Sequence, residues 1–399
     1  MVSHLTKLFG LNNLNLAEDV VQDTLLRAME TWKYHDLPEN PSAWLMRAAR
    51  NRAIDVIRRE ANFRNFTPEL AYLLKQQESL SAGGEPLWFE KEIQDDQLRL
   101  MFSCCLSELS REVQVTLILK SLCGFSVGEI ARALLVSQDS IEKRLSRAKK
   151  VFQDQGRLVE VEESSEMEGR LEAIYDSIYL LFNEGYHGSQ SELMIREELC
   201  YEALRLALLL ADHPAGQKPL TYALIALMCF HAARLSSRVD EDGCLILLEI
   251  QDRKLWNRDL IAQGFHYFAK AAEGSQLSEY HLEAYLASLH CMAASYRETN
   301  WAQMVKTYDR LYRLKPSPIV ALNRAIALAQ VEGPQAGLEA LDALEDEAQL
   351  EKYPFYPAAR GEFHRLAGHD DEAQEYFRKA LGLARSPAEM KFFEMKLKK

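Results

Sequence analysis

The sequence, of 399 residues, predicts an all-α protein. Apolar residues recur at helical spacing almost throughout the chain, and we find no segment with the strict alternation of a half-buried strand. Small and aromatic residues also recur near the C-terminus at the spacing of a helical repeat. We therefore predict two small helical domains, residues 1–62 and 96–155, which a polar linker, 63–95, joins. A tetratricopeptide-like helical array should follow over residues 156–399.

The first predicted helix covers residues 15–32 and begins with a possible capping box of Asn15 and Glu18. Its buried face is expected to consist of Ala17, Val20, Val21, Thr24, Ala28, Met29 and Trp32. Its exposed side chains are expected to be mainly acidic or amide: Glu18, Asp19, Gln22, Asp23 and Glu30. An acidic surface repels DNA and fits a basic protein partner.

The second predicted helix covers residues 40–60, with Asn40 as its cap and Pro41 at its first position. The residues expected to face inward are Leu45, Ala48, Ala49, Ala53 and Val56. A polar stripe should lie within an arc of about 100° and could hold a DNA strand. Its members are Arg47, Arg50, Asn51 and Arg58. Arg52, Asp55 and Arg59 lie elsewhere and can pair at helical spacing. Trp44 is either a core residue or an aromatic side chain beside this stripe.

Residues 126–152 predict two short helices joined by a tight turn. Ser126 and Glu129 form a capping box for the first helix, and Ser137 can cap the second. The apolar stripe of the second helix is Ile141, Leu145, Ala148 and Phe152. Its opposite face carries Asp139, Lys143, Ser146, Arg147 and Lys150, and Gln138 begins the helix. This pattern is typical of a DNA-binding helix-turn-helix, although an ordinary amphipathic hairpin has the same periodicity.

Charge is divided unevenly along the chain, whose formal net charge is −12. Residues 1–153 carry 20 basic and 20 acidic side chains, whereas residues 154–399 carry 27 and 39. The N-terminal part is therefore better suited to meet a polyanion, and the C-terminal part is unsuited to DNA.

The seven cysteines are odd in number and include no Cys-x-x-Cys pair, so we expect reduced, buried thiols of a cytoplasmic protein. No apolar run is expected to span a membrane. The ten histidines are dispersed, and the sequence predicts neither a metal site nor a cofactor.

The C-terminal region contains a weak internal repeat. Gly361, Gly368, Ala373, Phe377 and Ala380 fall where a tetratricopeptide helix pair places small and aromatic residues. Tyr308 occupies the place of Phe377 in an earlier unit, about two repeats of roughly 34 residues upstream. An irregular helical bundle with alanine-rich faces is the alternative.

Long segments of the chain resemble the extracytoplasmic-function (ECF) sigma factors of bacterial RNA polymerase, which belong to the sigma-70 family. "AEDVVQDTLLRAMETW" and "PSAWLMRAARNRAIDVIRRE" are similar to region 2 of that family, and the helix-turn-helix is similar to region 4. "YLLFNEGY", "LILLEIQDRKLWNRDLIAQG" and "SPIVALNRAIALAQVEGPQAGL" resemble a subgroup with a tetratricopeptide-like C-terminal extension. The resemblance covers nearly the whole chain.

The resemblance implies a role for each set of polar residues. Glu18, Asp19, Gln22 and Asp23 would bind the clamp helices of the largest polymerase subunit. His35, Asp36, Glu39 and Asn40 would capture an unpaired base of the −10 promoter element, and Arg47, Arg50, Asn51 and Arg58 would hold the opened strand. Gln138, Asp139, Lys143, Ser146, Arg147 and Lys150 would contact the −35 element as duplex.

We therefore expect a transcription initiation factor, not an enzyme, with core RNA polymerase and promoter DNA as partners. The C-terminal extension would regulate its activity in cis and could bind an unknown signal or protein. The alternative is a helical-repeat, signal-binding regulator that carries a helix-turn-helix. The region 2 pattern separates the two, because such a regulator has no use for the helices of residues 16–60.

Overall fold

The fold is that of a computed structural model. It describes residues 1–33, 37–59, 90–134, 136–155, 165–187, 195–240, 246–344, 350, 352–384 and 387–398. The described residues form helices and connecting turns, with no strand among them, which confirms the all-α prediction. The chain divides into two compact units, Met1–Ser177 and Ile178–Lys399.

The first unit contains eight helices in its described residues, the last of which runs on into the second unit. They are α1 (Val2–Phe9), α2 (Leu14–Trp32), α3 (Pro41–Arg59), α4 (Glu90–Ser103), α5 (Arg111–Ser121), α6 (Val127–Ala133), α7 (Gln138–Gln155) and α8 (Ser165–His187). A short 3-10 turn, Leu11–Asn13, joins α1 to α2. We call the part formed by α1–α3 the first domain and the part formed by α4–α7 the second domain.

Two helical features of this unit go beyond the predicted helices. The first domain contains a third helix, α1, because Leu5 and Phe9 belong to the same buried cluster as Ala17 and Val20 of α2. Helix α4 begins at Glu90, within the last residues of the predicted linker.

The core of the first domain lies between α1, α2 and α3. Leu5, Phe9, Val20, Ala49 and Ala53 are all buried in it. Ala49 and Ala53, two of the predicted inward residues of α3, are therefore confirmed as core. The other three, Leu45, Ala48 and Val56, are only partly buried. The small alanines let α3 approach α2 closely, so that the outer faces of both helices remain available.

The second domain is packed around α5, which is buried on most of its sides: Val113, Val115, Leu117, Ile118 and Leu119. Helix α8 adds to this domain through ion pairs between Arg111 and the carboxylates of Glu172 (2.5 Å) and Asp176 (2.6 Å). Arg170, also on α8, donates to the carbonyl oxygen of Phe102 near the end of α4. The first half of α8 is thus part of the helix-turn-helix unit.

The second unit consists of the end of α8 and ten further helices in its described residues. They are α9 (Glu197–Asp212), α10 (Pro219–Ala232), α11 (Arg258–Ala271), α12 (Glu279–Met292), α13 (Trp301–Leu314), α14 (Pro318–Glu332), α15 (Pro334–Asp342), α16 (Phe355–Leu366), α17 (Asp370–Leu383) and α18 (Pro387–Leu397). Consecutive helices pack as pairs, most closely α10 with α11 and α16 with α17.

The helix pair predicted around Phe377 is confirmed. Gly361 of α16 is buried, and a Cβ atom added to it would lie 3.0 Å from the Phe377 ring of α17. Gly368, in the turn between these helices, has φ +81°, a conformation that favours glycine. The small residues therefore permit the close approach of two helices, and the aromatic ring fills the space between them.

Among the described residues, one stretch, Pro219–Ser237, is long and apolar enough to cross a membrane by length and composition alone. It contains α10, and 72% of it is buried inside the protein, as in the core helix of a globular unit.

The cysteines that the structure describes are free thiols, five of them buried. Burial raises the pKa of the Cys105 thiol to about 12, so this thiol stays protonated at neutral pH.

Candidate nucleic-acid and polymerase interfaces

Helix α2 presents an outer surface with three of the four predicted polymerase-binding residues. Asp19, Gln22 and Asp23 are exposed. Glu18 is not: its side chain is largely buried, and it accepts a hydrogen bond from the hydroxyl of Ser121 at 2.7 Å. The predicted capping box of Asn15 and Glu18 is also wrong, because α2 begins at Leu14 and the Glu18 carboxylate is directed to the second domain.

Apolar side chains on the same surface escaped the sequence prediction. Met29, which we expected in the core, is 71% exposed, and Leu26 is 60% exposed. Leu25 is 43% exposed beside them. The spacing 22, 25, 26 and 29 places these side chains around Gln22, on the outer face of the helix. The surface is therefore acidic and apolar together, a composition suited to a protein partner.

An ion pair links the outer sides of α2 and α3. The Arg52 Nη2 atom lies 2.8 Å from Asp23 Oδ2, with both side chains partly exposed. The sequence allows Arg52, Asp55 and Arg59 to pair at helical spacing along α3, but the ion pair found for Arg52 joins it to Asp23 instead. Asp23 is consequently engaged within the first domain, whereas no ion pair of Asp19 is found among the described residues.

Two residues of the predicted −10 pocket lie beside the start of α3. Glu39 and Asn40 are both exposed, and the Oδ1 atom of Asn40 accepts a hydrogen bond from the Ala43 backbone N–H at 3.0 Å. The predicted cap is therefore confirmed. His35 and Asp36, the other two predicted residues, lie outside the described residues.

The polar stripe of α3 is only partly exposed to solvent. Arg47 and Asn51 are exposed, whereas Arg50 is partly buried, and this burial lowers the pKa of its guanidinium. The side chain of Arg58 lies outside the described residues. The Trp44 ring is partly buried and packs against the Trp32 ring at the end of α2, with centroids 5.4 Å apart. Trp44 is therefore a partly buried side chain that packs α3 against the end of α2 beside the polar stripe.

The helix-turn-helix forms as predicted, from α6 and α7. Ser126 and Glu129 make the reciprocal bonds of a capping box: the Ser126 N–H donates to the Glu129 carboxylate at 2.8 Å, and the Glu129 N–H donates to the Ser126 hydroxyl oxygen at 3.2 Å. The Ser137 hydroxyl oxygen accepts from the Ser140 N–H at 3.2 Å at the start of α7. Both helices thus begin at residues determined by local hydrogen bonding.

Helix α7 turns one face inward and the other outward. Ile141, Ala148 and Phe152 are buried, and Leu145 is partly buried. All six predicted −35 residues are exposed: Gln138, Asp139, Lys143, Ser146, Arg147 and Lys150. Their exposure on one capped helix is what insertion into a DNA groove requires.

The second unit contains a groove that the sequence analysis did not reveal. Its volume is about 470 Å³, and aromatic side chains that include Trp301, Tyr308 and Phe355 line it. Glu362 lies at one wall, where the Lys396 Nζ atom is 2.8 Å from its carboxylate; hydrogen bonds from Arg365 and Lys396 lower its pKa despite its burial. The described residues contain no cluster of side chains that could hold a metal ion.

Comparison with protein families divides the chain into three matched segments. Residues 1–63 match the family model of sigma-70 region 2, and residues 99–151 match that of sigma-70 region 4. Residues 170–272 match a family of unknown function, DUF6596. The first two segments contain the first domain and the helix-turn-helix.

Individual proteins are similar to the chain over different lengths. An uncharacterized protein of Rhizobium meliloti is 35% identical over 96% of this chain and 90% of its own length. The ferric citrate uptake sigma factor FecI of Escherichia coli is 30% identical over 33% of this chain and 71% of its own length. The ECF RNA polymerase sigma factor SigL of Mycobacterium tuberculosis is 33% identical over 33% of this chain and 70% of its own length.

Proposed function

The chain belongs to the extracytoplasmic-function sigma factors of the sigma-70 family, and we propose that it directs core RNA polymerase to specific promoters under the control of its own C-terminal extension. The first domain corresponds to region 2 and the second to region 4. In this proposal the protein is a cytoplasmic specificity factor, and the polymerase performs the catalysis.

The observation that carries the proposal is the outer surface of α2. It combines the exposed carboxylate of Asp19 and the amide of Gln22 with the exposed apolar side chains of Leu26 and Met29. Exposed apolar side chains among acidic ones suit a protein surface that is basic and apolar, and they are of no use toward DNA. We assign this surface to the clamp helices of the largest polymerase subunit. A simple DNA-binding regulator would not need it.

The −10 element is assigned to the start and the polar stripe of α3. Glu39 and Asn40 are exposed where an unpaired base could be captured, and Arg47 and Asn51 are exposed where a strand could pass. Asn40 uses its Oδ1 atom as a helix cap, so its amide N–H groups would face the base. His35, Asp36, Arg50 and Arg58 complete the proposed set. Extruding a base costs a few kcal/mol, which these hydrogen bonds and stacking must offset.

The −35 element is assigned to α7. Lys143 and Arg147 lie one helical turn apart on its exposed face, with side chains long enough to reach bases and phosphates in the major groove. Asp139, Ser146 and Lys150 flank them, and Gln138 lies at the N-terminal end, where recognition helices commonly approach base edges.

The extension either masks the DNA-binding surfaces of regions 2 and 4, in which case its removal would raise promoter activity, or holds the two regions in a productive arrangement, and we propose the second. The acidic balance of the extension, 27 basic against 39 acidic side chains over residues 154–399, is complementary to the basic stripes of α3 and α7. The groove in the second unit could receive a signal. Removing the extension should therefore abolish promoter-specific transcription, and the cut should follow His187, because a cut after Gln155 would also remove the ion-pair partners of Arg111. Full activity of the shortened chain at every salt concentration would exclude this regulatory role.

The direct test of the proposal measures binding to purified core polymerase by fluorescence anisotropy. Leu26→Lys should weaken binding at least about ten-fold, since it places a charge in an apolar contact. Leu277→Lys is the matched control, because Leu277 is 57% exposed in the second unit and the change is the same. If the unaltered chain forms no complex with core polymerase, the proposal is wrong.

A further inference from the structure

The groove of the second unit is formed by regular helix faces. The residues that line it from Asn323 to Gln330 on α14 fall at positions i, i+3, i+4 and i+7, and the same pattern holds from Phe355 to Glu362 on α16. This spacing marks one face of a helix. The volume of the groove, about 470 Å³, lies within the range of about 300–1,000 Å³ typical of sites for drug-sized molecules. The groove is therefore large enough for a small organic molecule.

Aromatic rings form much of its wall. The rings of Tyr296 and Trp301 meet edge to face, with centroids 4.8 Å apart. The rings of Phe355 and Phe392 lie 6.5 Å apart, and Tyr308 adds a fifth ring. Aromatic faces and edges bind other flat rings by offset stacking or edge contact, and they bury a large apolar area. A ligand with a flat aromatic body fits such a wall best.

The charged residues in the lining neutralise one another. The Glu362 carboxylate accepts hydrogen bonds from Arg365 and from Lys396, and these bonds lower its pKa, so it is ionised at neutral pH. Glu249 adds a second negative charge, which acts on Arg365. Burial lowers the pKa of His290 to about 3, so this ring is neutral. Two carboxylates thus balance two cations, and a charged ligand would bury its charge without a counter-ion of its own.

Uncharged polar groups in the lining have no partner in the part of the chain that the structure describes. They are the hydroxyls of Tyr296 and Tyr308 and the side-chain amides of Asn323 and Gln330. Both amides are exposed, and burial raises the pKa of the Tyr308 hydroxyl, which therefore stays a donor at neutral pH. Each of the four groups can both donate and accept a hydrogen bond. They match hydroxyl, carbonyl or amide groups at the edge of a ligand.

We propose that this groove binds an uncharged, planar aromatic molecule that carries hydroxyl, carbonyl or amide groups at its edge. The aromatic wall holds the rings, and Tyr308 and Gln330 bind the edge groups. The inference deepens the role of the extension in the proposed function, on which only the meaning of the ligand as a signal rests. The binding itself does not depend on it.

The test compares three probes that share one ring system, by saturation-transfer NMR titration of the full-length chain at pH 7. The uncharged probe is naphthalene-2-carboxamide. The anionic probe is naphthalene-2-carboxylate, and the cationic probe is 2-naphthylmethylammonium. We expect the amide to bind with a dissociation constant of about 1 mM or tighter, as a small ligand of this size allows. Each charged probe should bind about ten-fold more weakly, because its charge must be desolvated without a counter-ion.

Two mild variants test the edge groups. Tyr308→Phe should weaken binding of the amide probe about three- to ten-fold, since it removes one hydrogen bond. Tyr312→Phe is the matched control, because Tyr312 lies on the same helix, is 40% exposed and does not line the groove. Gln330→Ala should act in the same direction, with Gln335→Ala as its control, because Gln335 is exposed on α15 outside the lining.

A third variant fills the groove. Ala358 is partly buried and lines the groove, so Ala358→Phe places a ring where the probe would lie and should abolish binding. Ala302→Phe is the control, because Ala302 is exposed on α13 outside the lining. Circular dichroism checks that both variants fold. If Ala358→Phe does not fold, the comparison of Tyr308→Phe with Tyr312→Phe decides where the probe binds.

Each outcome decides the inference. A chain that does not bind the amide, or that binds either charged probe as tightly, would overturn it. Equal binding by the folded groove variants and their controls would place the probe elsewhere and overturn it too. A chain that binds the amide but forms no complex with core polymerase would contradict the proposed function alone. A chain that binds polymerase and not the amide would contradict this inference alone.

Discussion

Asp23 and Arg52 form an ion pair across the α2–α3 hairpin, with Arg52 Nη2 2.8 Å from Asp23 Oδ2. The pair lies 29 positions apart in the chain, and it involves one residue expected to bind polymerase and one expected to pair along its own helix. Because Asp23 has this partner, a substitution of its neighbour Asp19 tests the polymerase surface more specifically. Asp19 is exposed on the same helix.

Charge reversal at these two residues should therefore have different effects. Asp19→Lys should weaken core binding about ten-fold without changing the free energy of unfolding, because it reverses a charge at the proposed interface alone. Asp23→Lys should also lower the free energy of unfolding by up to about 1 kcal/mol, the usual size of an exposed pair. Anisotropy with core polymerase and urea denaturation measure the two effects. Glu108→Lys, in region 4, is the control, and equal stability of both α2 variants would argue against the ion pair.

Lys143 and Arg147 should contribute to the binding of −35 duplex. Replacement of either by Ala should cost about 1–3 kcal/mol if it contacts a base, or reduce the salt slope by about one if it contacts a phosphate. Lys149→Ala is the control, because Lys149 is exposed on the same helix but lines a small cavity against region 2. Titrations of labelled duplex at several salt concentrations separate the two kinds of contact. If both variants match Lys149→Ala, the assignment of the face is wrong.

Contacts between residues close together in the sequence were predicted correctly at this site, whereas a contact between distant residues was not. The capping box of Ser126 and the inward face of α7 were predicted correctly, because both depend on residues three or four positions apart. Glu18 was assigned to the exposed surface, and its true partner Ser121 lies 103 positions away. No local pattern indicates such a contact.

Met29 illustrates a second reason for failure. By helical periodicity, the apolar face of α2 extends as far as Met29. The buried core of region 2 covers less of the helix, because it consists partly of small alanines, and Met29 stays exposed. The sequence therefore predicted the fold class and the helices of the site well, while the division of α2 into core and docking surface required the packed structure.

Gly361 should be necessary for the α16–α17 pair. Gly361→Ala would place a Cβ atom 3.0 Å from the Phe377 ring and 3.2 Å from the Ala373 carbonyl oxygen, so we expect a loss of about 1–3 kcal/mol in the free energy of unfolding. Gly382→Ala is the matched control, since nothing lies within 4 Å of an added Cβ atom there. The control should be neutral or slightly stabilising, because alanine favours a helix. Thermal and urea denaturation measure both, and identical results would contradict the close approach.

Glu283 should make the second unit less stable as the pH rises. Burial raises the pKa of this carboxyl group above its ordinary 4.5, against the hydrogen bond that the Tyr179 hydroxyl donates at 2.8 Å. The folded state therefore binds a proton more tightly than the unfolded state, and the associated stability is present below pH 4.5 and lost as the pH rises through the raised pKa.

Glu283→Gln removes this dependence, since the amide oxygen can still accept from Tyr179 and no charge is buried. The free energy of unfolding of the variant, minus that of the unaltered protein, should increase as the pH rises from 4.5 through the raised pKa of Glu283, and then stay constant. Urea denaturation from pH 4 upward, compared with Glu279→Gln on the same helix, gives the difference. A constant difference at all pH values would show that Glu283 does not titrate in this way.

The central claim is that this chain, bound to core polymerase, selects promoters by two separated elements. The most direct measurement is run-off transcription with purified core polymerase on a library of random-sequence templates, followed by sequencing of the transcribed templates. We predict enrichment of two sequence blocks about 25 base pairs apart, corresponding to about 85 Å of duplex. Arg147→Ala should weaken selection at the upstream block alone. Transcripts without any enriched block, or with the same output as core polymerase alone, would contradict the account.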